Sequence, residues 1–225
     1  MITTAKIIKY VDDYLLLLPD ESISRKIFQT HVGNVEIRLN DGRSISADQR
    51  KKIFAIIRDI ALWNGDDPEF IRQFMTWEFI CKNNLKWFSL SDVDMTIAKE
   101  FINHLIEFCF LWNVQTRDTM LNHTDDIGKY LYHCLEYRKC AICNAHAEVH
   151  HVNRIGMGAN REKVVHIGIE AIALCRKHHD EAHWGERDLF NRHYIYGIKL
   201  DDYLCKCLSL NYKAEEVRLI LKLPE

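Results

Sequence analysis

The sequence contains no run of 18 consecutive apolar residues, so it lacks the stretch of roughly 20 that a membrane-spanning helix needs. Its opening residues, MITTAKIIKYVDDY, lack the charged, apolar and small-residue regions of a secretory signal, and the expected location is the cytoplasm. Charge of one sign is also missing. Thirty Lys and Arg stand against 32 Asp and Glu, for a formal net charge of −2. The molecule is therefore no polycation, and any nucleic-acid contact has to work through local patches or a bound metal. Low-complexity segments and internal repeats are absent. Eight cysteines, unevenly spaced over 225 residues, are too few for a secreted disulfide scaffold. In a reducing compartment a close pair of them is a metal clip.

What is present suffices for a folded protein: 48% of residues are hydrophobic and 28% charged. The length permits one large domain or two of ordinary size. Aliphatic and β-branched residues at 5–18 and 35–39, with the turn signal Asn40-Asp41-Gly42, predict strands. Helices follow. Ser46-x-x-Gln49 fits a capping box ahead of Ile53, Ile56, Ile57, Ile60 and Ala61, and Gly65 ends that helix. Asp67-Pro68 opens a second, carrying Phe70, Ile71, Phe74, Met75 and Trp77. Ser91 is the expected cap of a third, with Ile97, Phe101, Ile102, Leu105, Phe108 and Trp112 along one side. These aromatic residues are expected in the core. Residues 115–137 turn polar and then helical, which places a domain boundary near 120–135 and divides the chain into residues 1–125 and 136–225. A short helix after Trp184 and a last one over 214–221 complete the chain. The expected class is α+β, with a small N-terminal sheet plus helices and a compact C-terminal metal module.

Histidine is the concentrated residue. Eight of the 12 lie between positions 146 and 193. Cys140-x2-Cys143 is followed, 32 residues after Cys143, by Cys175-x2-His178. Together they form a complete Cys3His set for a structural zinc ion, a staple that a module with so small a core needs. More ligands remain than one zinc requires. Glu148-Val149-His150-His151 reads as a strand end, where neighbouring side chains point to opposite faces. His179 and His183 are four apart, on one helical face. His150, His179 and His183 thus form a three-nitrogen site for a divalent metal (Mg2+, Mn2+, Ni2+ or Zn2+), with positions open to water and a phosphate oxygen. His151 is left for general-base duty, since a free imidazole titrates at about pH 6.5. A second assignment exchanges two neighbours, with His179 on zinc and His178 on the catalytic metal. Arg154, Gly156, Gly158, Arg161 and Lys163 make a basic, glycine-containing loop suited to a DNA phosphate.

The segment around 138–200, with C-x2-C, V-H-H-V, I-G-M-G-A-N-R and L-C-R-K-H-H-D-E-A-H, resembles the HNH (ββα-metal) endonuclease module, notably the phage-borne kind. The resemblance implies a metal ligand at His150, the base at His151, and further metal ligands at His179 and His183. It also departs from the pattern. Glu170 stands where the middle Asn is expected, with Asn160 and His166 as nearby polar candidates, and His178 replaces the usual fourth Cys.

The N-terminal half is similar to the lambdoid Orf (NinB-like) recombination mediators. The similarity runs through Arg43-Ser-Ile-Ser46, Asp48-Gln-Arg-Lys-Lys-Ile-Phe-Ala55, Asp59-Ile-Ala61, Pro68-Glu69 and Phe88-Ser-Leu-Ser91. It implies single-stranded DNA binding, a homodimer, and a recombinase or single-strand-binding protein as partner, in a host-cell cytoplasm. Arg50, Lys51 and Lys52 are candidate phosphate contacts. Trp63, Trp77 and Trp87 are candidates for stacking on bases, with core packing as the alternative. The combined expectation is a phage recombination or replication accessory protein that cleaves branched or single-stranded DNA. A non-catalytic, zinc-stabilised DNA-binding mediator is the rival reading.

Overall fold

A computed structural model describes residues 5–11, 14–19, 43–152 and 165–210. The strand and turn expected at 35–42, the basic loop of Arg154, Arg161 and Lys163, Asn160 and the helix expected over 214–221 lie outside them. The described N-terminal residues form an antiparallel hairpin. β1 (Ala5–Val11) pairs with β2 (Tyr14–Pro19), Ala5 opposite Pro19, with an irregularity between Ile7 and Lys9.

Three helices follow. In α1 (Ala47–Asn64) the capping box is complete: Gln49 N donates to Ser46 Oγ at 3.0 Å and Ser46 N to Gln49 Oε1 at 3.1 Å. Gly65 ends the helix at φ 82°, a left-handed conformation that costs glycine little. Asp67 caps α2 (Pro68–Asn83) by accepting from Glu69 N and Phe70 N, with Pro68 in the first turn. The cap of α3 (Met95–Leu111) is Asp94 and not the expected Ser91. Asp94 Oδ1 accepts from Thr96 N at 2.7 Å and Ile97 N at 3.2 Å. A carboxylate at a helix N-terminus gains from the macrodipole as well as the hydrogen bonds, and the Ser91 hydroxyl is engaged with Ser89, two residues before it.

The α1–α3 core is built of large side chains. Ile53, Ile56, Ile57, Ile60, Met75, Phe101, Ile102, Leu105 and Ile106 are all essentially inaccessible. The expected burial of every aromatic fails on α2. Ile71, Met75 and Phe79 take the buried stripe, while Phe70, Phe74 and Trp77 lie on the neighbouring stripe in solvent, Trp77 being 55% exposed. Their rings form a ladder with centroid spacings of 6.5 and 6.2 Å. Trp112 at the end of α3 is also exposed. A helix carrying two apolar stripes can bury only the one that meets its neighbours.

A 3-10 turn (Met120–Asn122) leads to α4 (Ile127–Glu136), which packs on α3 on one side and on the C-terminal sheet on the other. Tyr130 is its pivot. Its ring contacts Phe110 at 6.0 Å and its hydroxyl donates to Ala141 O at 2.9 Å. One apolar cluster consequently runs from Ile45 to Leu208. The C-terminal part is a three-stranded antiparallel sheet in the order β3-β4-β5 (Glu148–His151, Glu170–Leu174, Ile198–Lys199), with α5 (Arg176–His193) packed on β3 and β4. A short α6 (Asp202–Cys207) follows. Gly197 leads into β5 where a Cβ would collide with the Val152 side chain. The class is α+β, as expected. Among the described residues no helix is long and apolar enough to cross a membrane.

Candidate metal centre

The first cluster grows from a tight turn before β3. Lys139 and His146 pair as an isolated antiparallel bridge, Cys140 N donates to Ala145 O at 2.7 Å, and Asn144 closes the turn at φ 57°. Asn tolerates that left-handed conformation better than most side chains. Its side chain is also used, donating to Tyr130 Oη at 2.8 Å and accepting from Met120 N at 2.6 Å. The knuckle bearing Cys140 and Cys143 is thereby tied to α4. Ala141 N donates to Ala173 O at 2.9 Å, which sets the knuckle beside the end of β4, and Cys175 is the first residue past that strand, at the N-cap of α5.

Those connections bring four donor atoms together. Cys140, Cys143, Cys175 and His178 place one ligand atom each within 4.8 Å of the others. The Cys143 and Cys175 sulfurs are 3.7 Å apart, and His178 Nδ1 is 3.3 Å from the sulfurs of both Cys140 and Cys175. A tetrahedral zinc ion with bonds of about 2.3 Å to sulfur and 2.0 Å to nitrogen sets edges of about 3.8 Å and 3.5 Å. The donor set and its spacing fit such an ion. Burial pushes the Cys140 thiol up to about 12, so without a cation beside it that sulfur keeps its proton at neutral pH. Burial also lowers His178 despite the opposing charge of Glu181, leaving a neutral imidazole with a free lone pair.

The second cluster uses the next residue of the same helix. Successive residues on a helix point about 100° apart, so His178 turns to the sulfurs while His179 turns to β3. His150, His179 and His183 each offer a nitrogen within 4.8 Å of the others, with ring centroids 4.8 to 5.2 Å apart. His150 lies on the α5 side of β3, opposite Ile172 of β4, and is only 4% exposed. Burial lowers its pKa; a hydrogen bond to Glu186 opposes that, and the neighbouring His179 and His183 add to it. Each of the three offers a ring nitrogen to a cation.

His151, one residue on, stands apart from that cluster and packs with the ring of buried His166, centroids 5.2 Å apart. The position expected to hold Asn, Glu170, is the first residue of β4, paired with Lys199 of β5.

Two carboxylates at the site were not anticipated. Glu186 Oε2 is 2.7 Å from His150 Nε2, and Glu148 Oε2 is 3.2 Å from His179 Nδ1. Glu148 shares the alternation of β3 with His150, a signal that the strand pattern carried. Glu186 carried one as well, being three residues after His183 and seven after His179 on the same helical face, although a non-helical Gly185 interrupts α5 just before it. Of the basic residues of α1, Lys52 is held by Asp48 at 2.9 Å and Asp125 at 2.6 Å, and Arg50 donates to Ser91 O at 3.0 Å. Lys51 is exposed.

A family model described as "Putative HNHc nuclease" matches residues 19–211. The chain belongs to this HNH nuclease family. The match takes in the helices α1–α4 as well as both clusters, so the family's unit is larger than the ββα module alone. No curated protein and no solved structure matches the chain.

Proposed function

We propose that this HNH family member is a metal-dependent DNA endonuclease. In this reading Cys140, Cys143, Cys175 and His178 hold a structural zinc, and His150, His179 and His183 hold the catalytic cation. The observation that carries it is the division of labour between adjacent residues: His178 joins a sulfur cluster while His179 joins a separate, all-imidazole one. A structural zinc is satisfied by four ligands, so a second set of three, which leaves coordination positions for water and substrate, has no structural purpose.

When bound, the cation supplies Lewis acidity to the scissile phosphate and the leaving 3′ oxygen. His151 takes the proton of the attacking water, and His166 beside it keeps the imidazole oriented. The water oxygen bonds to phosphorus as the bond from phosphorus to the 3′ oxygen breaks. Arg154, Arg161 and Lys163, between β3 and β4 in the chain, grip the flanking phosphates.

The test is cleavage of duplex, branched and single-stranded DNA with Mg2+, Mn2+, Ni2+ or Zn2+. Cleavage is expected with at least one of them, and His151→Ala should slow it by about 10² to 10⁴ while both metals stay bound. Absence of cleavage with every metal, or full activity in that variant, sinks the enzymatic reading. One tight zinc and no second site would favour a non-catalytic zinc-stabilised DNA binder.

A second property is supported by exposed aromatic residues on and around α1 and α2. Trp63, Trp77 and Trp87 are exposed, as are Phe70 and Phe74. Arg50, Arg72 and Phe54 line a cavity of about 300 Å³ with Ser89, Leu90 and Ser91. Exposed rings suit stacking on a single strand, each stacked base contributing about 1–3 kcal/mol, and the Phe54 ring lies with Arg50 and the Glu69-paired Arg72 in that cavity. In this proposal residues 1–125 bind single-stranded DNA, as a homodimer that serves phage recombination alongside a recombinase. Trp77→Ala should weaken oligothymidylate binding about 5-fold or more in a salt-dependent titration; unchanged affinity would remove this property and leave the nuclease reading intact.

A further inference from the structure

We infer that Glu186 is the positioning residue of the triple-histidine site, holding His150 in the tautomer that meets the cation through Nδ1. The inference rests on the metal reading above. An imidazole that binds a metal has one nitrogen left over, and a nitrogen that donates a hydrogen to a carboxylate cannot also be a ligand. Glu186 Oε2 sits 2.7 Å from His150 Nε2. That nitrogen therefore carries the hydrogen, and Nδ1 carries the lone pair. His150 is 4% exposed, so few water molecules can replace the carboxylate in holding the ring.

The neighbouring ligand repeats the arrangement with the nitrogens exchanged. His179 Nδ1 faces Glu148 Oε2 at 3.2 Å, which leaves Nε2 for the cation. The two carboxylates cross between the elements: Glu148 on β3 holds a helix histidine, and Glu186 on α5 holds the strand histidine. Each fastens α5 to β3 at the site. Glu186 follows His179 by seven residues and His183 by three, the spacing of one helical face, and it meets His150 just past the non-helical Gly185.

The experiment uses the full chain loaded with one zinc and titrated with Ni2+ and Co2+. Glu186→Ala should weaken the second site about 10- to 100-fold. Glu186→Gln, whose amide oxygen still accepts the Nε2 hydrogen, should stay within a few-fold of the parent and keep the parent's visible Co2+ bands. Both variants should retain the tight zinc. Parental affinity in Glu186→Ala overturns the inference. So does a Glu186→Gln variant as weak as Glu186→Ala with Co2+ bands of lower coordination number, because Glu186 would then be a ligand itself. If the parent chain takes up no second metal, the metal reading falls first and this inference with it; second-site binding that ignores Glu186 removes the inference alone.

Discussion

The α1–α3 bundle and the β3–β4–α5 module are held together by different means. The bundle interior is isoleucine, phenylalanine, leucine and methionine, with Ile53, Ile56, Phe101, Ile102 and Leu105 wholly inaccessible. Each such side chain contributes about 1.5–3 kcal/mol on burial. The module buries five alanines, Ala141, Ala147, Ala171, Ala173 and Ala182, among larger residues that include Ile142, Ile172, Leu174, Leu189, Ile195 and Leu200. A buried alanine methyl contributes roughly one CH2 equivalent, about 0.8 kcal/mol. Small residues have a use here. They let the knuckle approach α5 in one place and β3 approach it in another, closely enough for the donor atoms of each cluster to fall within 4.8 Å of one another. Close approach leaves little apolar area to bury, so the same feature that assembles the ligands weakens the core that supports them. The sulfur cluster answers that weakness.

The largest effect should come from removing the staple. Cys175→Ser, or chelation of a zinc-loaded chain, should unfold the module while α1–α3 stay helical, because a structural zinc contributes about 10 kcal/mol or more of apparent folding free energy. Metal analysis with far-UV circular dichroism reads this, and a module that keeps its fold without zinc would break the contrast. Next, Phe101→Ala should destabilise the bundle by about 3–5 kcal/mol in denaturant titration, with zinc content unchanged. Loss of zinc in that variant would show that the two regions stand or fall together through α4. Overfilling tests the module from the other side. Ala173→Leu should cost about 1–3 kcal/mol, whereas a neutral or stabilising result would mean that the sheet has room to spare.

The smallest expected effect is on pH. His104 of α3 is buried, and burial holds its pKa below the ordinary 6.5, with Glu78 and Glu107 opposing and Lys82 assisting. The folded state therefore prefers the neutral ring. Its contribution is present above about pH 6.5 and is lost as pH falls from there toward the lowered native value. Melting temperature of the bundle should decline over that acid range, and His104→Gln should flatten the decline. An unchanged slope would assign the acid sensitivity to other groups.

Local signals explain much of what was legible from the chain. Ser46 with Gln49, Asp67 with Pro68, and Gly65 each act within one turn of backbone, so their consequences follow from neighbours in sequence. The same holds for the two-residue spacing in Cys140–Cys143 and Cys175–His178, and for the alternation that separates His150 from His151. Asp94 and not Ser91 is the cap because the helix begins at Met95, which puts the Asp94 carboxylate within reach of Thr96 N and Ile97 N. Phe70, Phe74 and Trp77 were expected in the core and are exposed, because two apolar stripes on α2 look alike until packing selects one. Lys52 reads as a free cation in sequence and is paired across 73 residues to Asp125.

The sequence by itself determined the candidate ligand types, the Cys140–Cys143 pair, the Cys175-x2-His178-His179-x3-His183 run and the helix that carries it, since each depends on periodicity or on chemistry between near neighbours. Only the tertiary structure decided that His178 belongs with the sulfurs and His179 with the imidazoles, and that Glu148 and Glu186 reach across to His179 and His150. Those choices depend on which face of α5 meets β3 and which meets the knuckle, a packing relation between segments more than 20 residues apart in the chain.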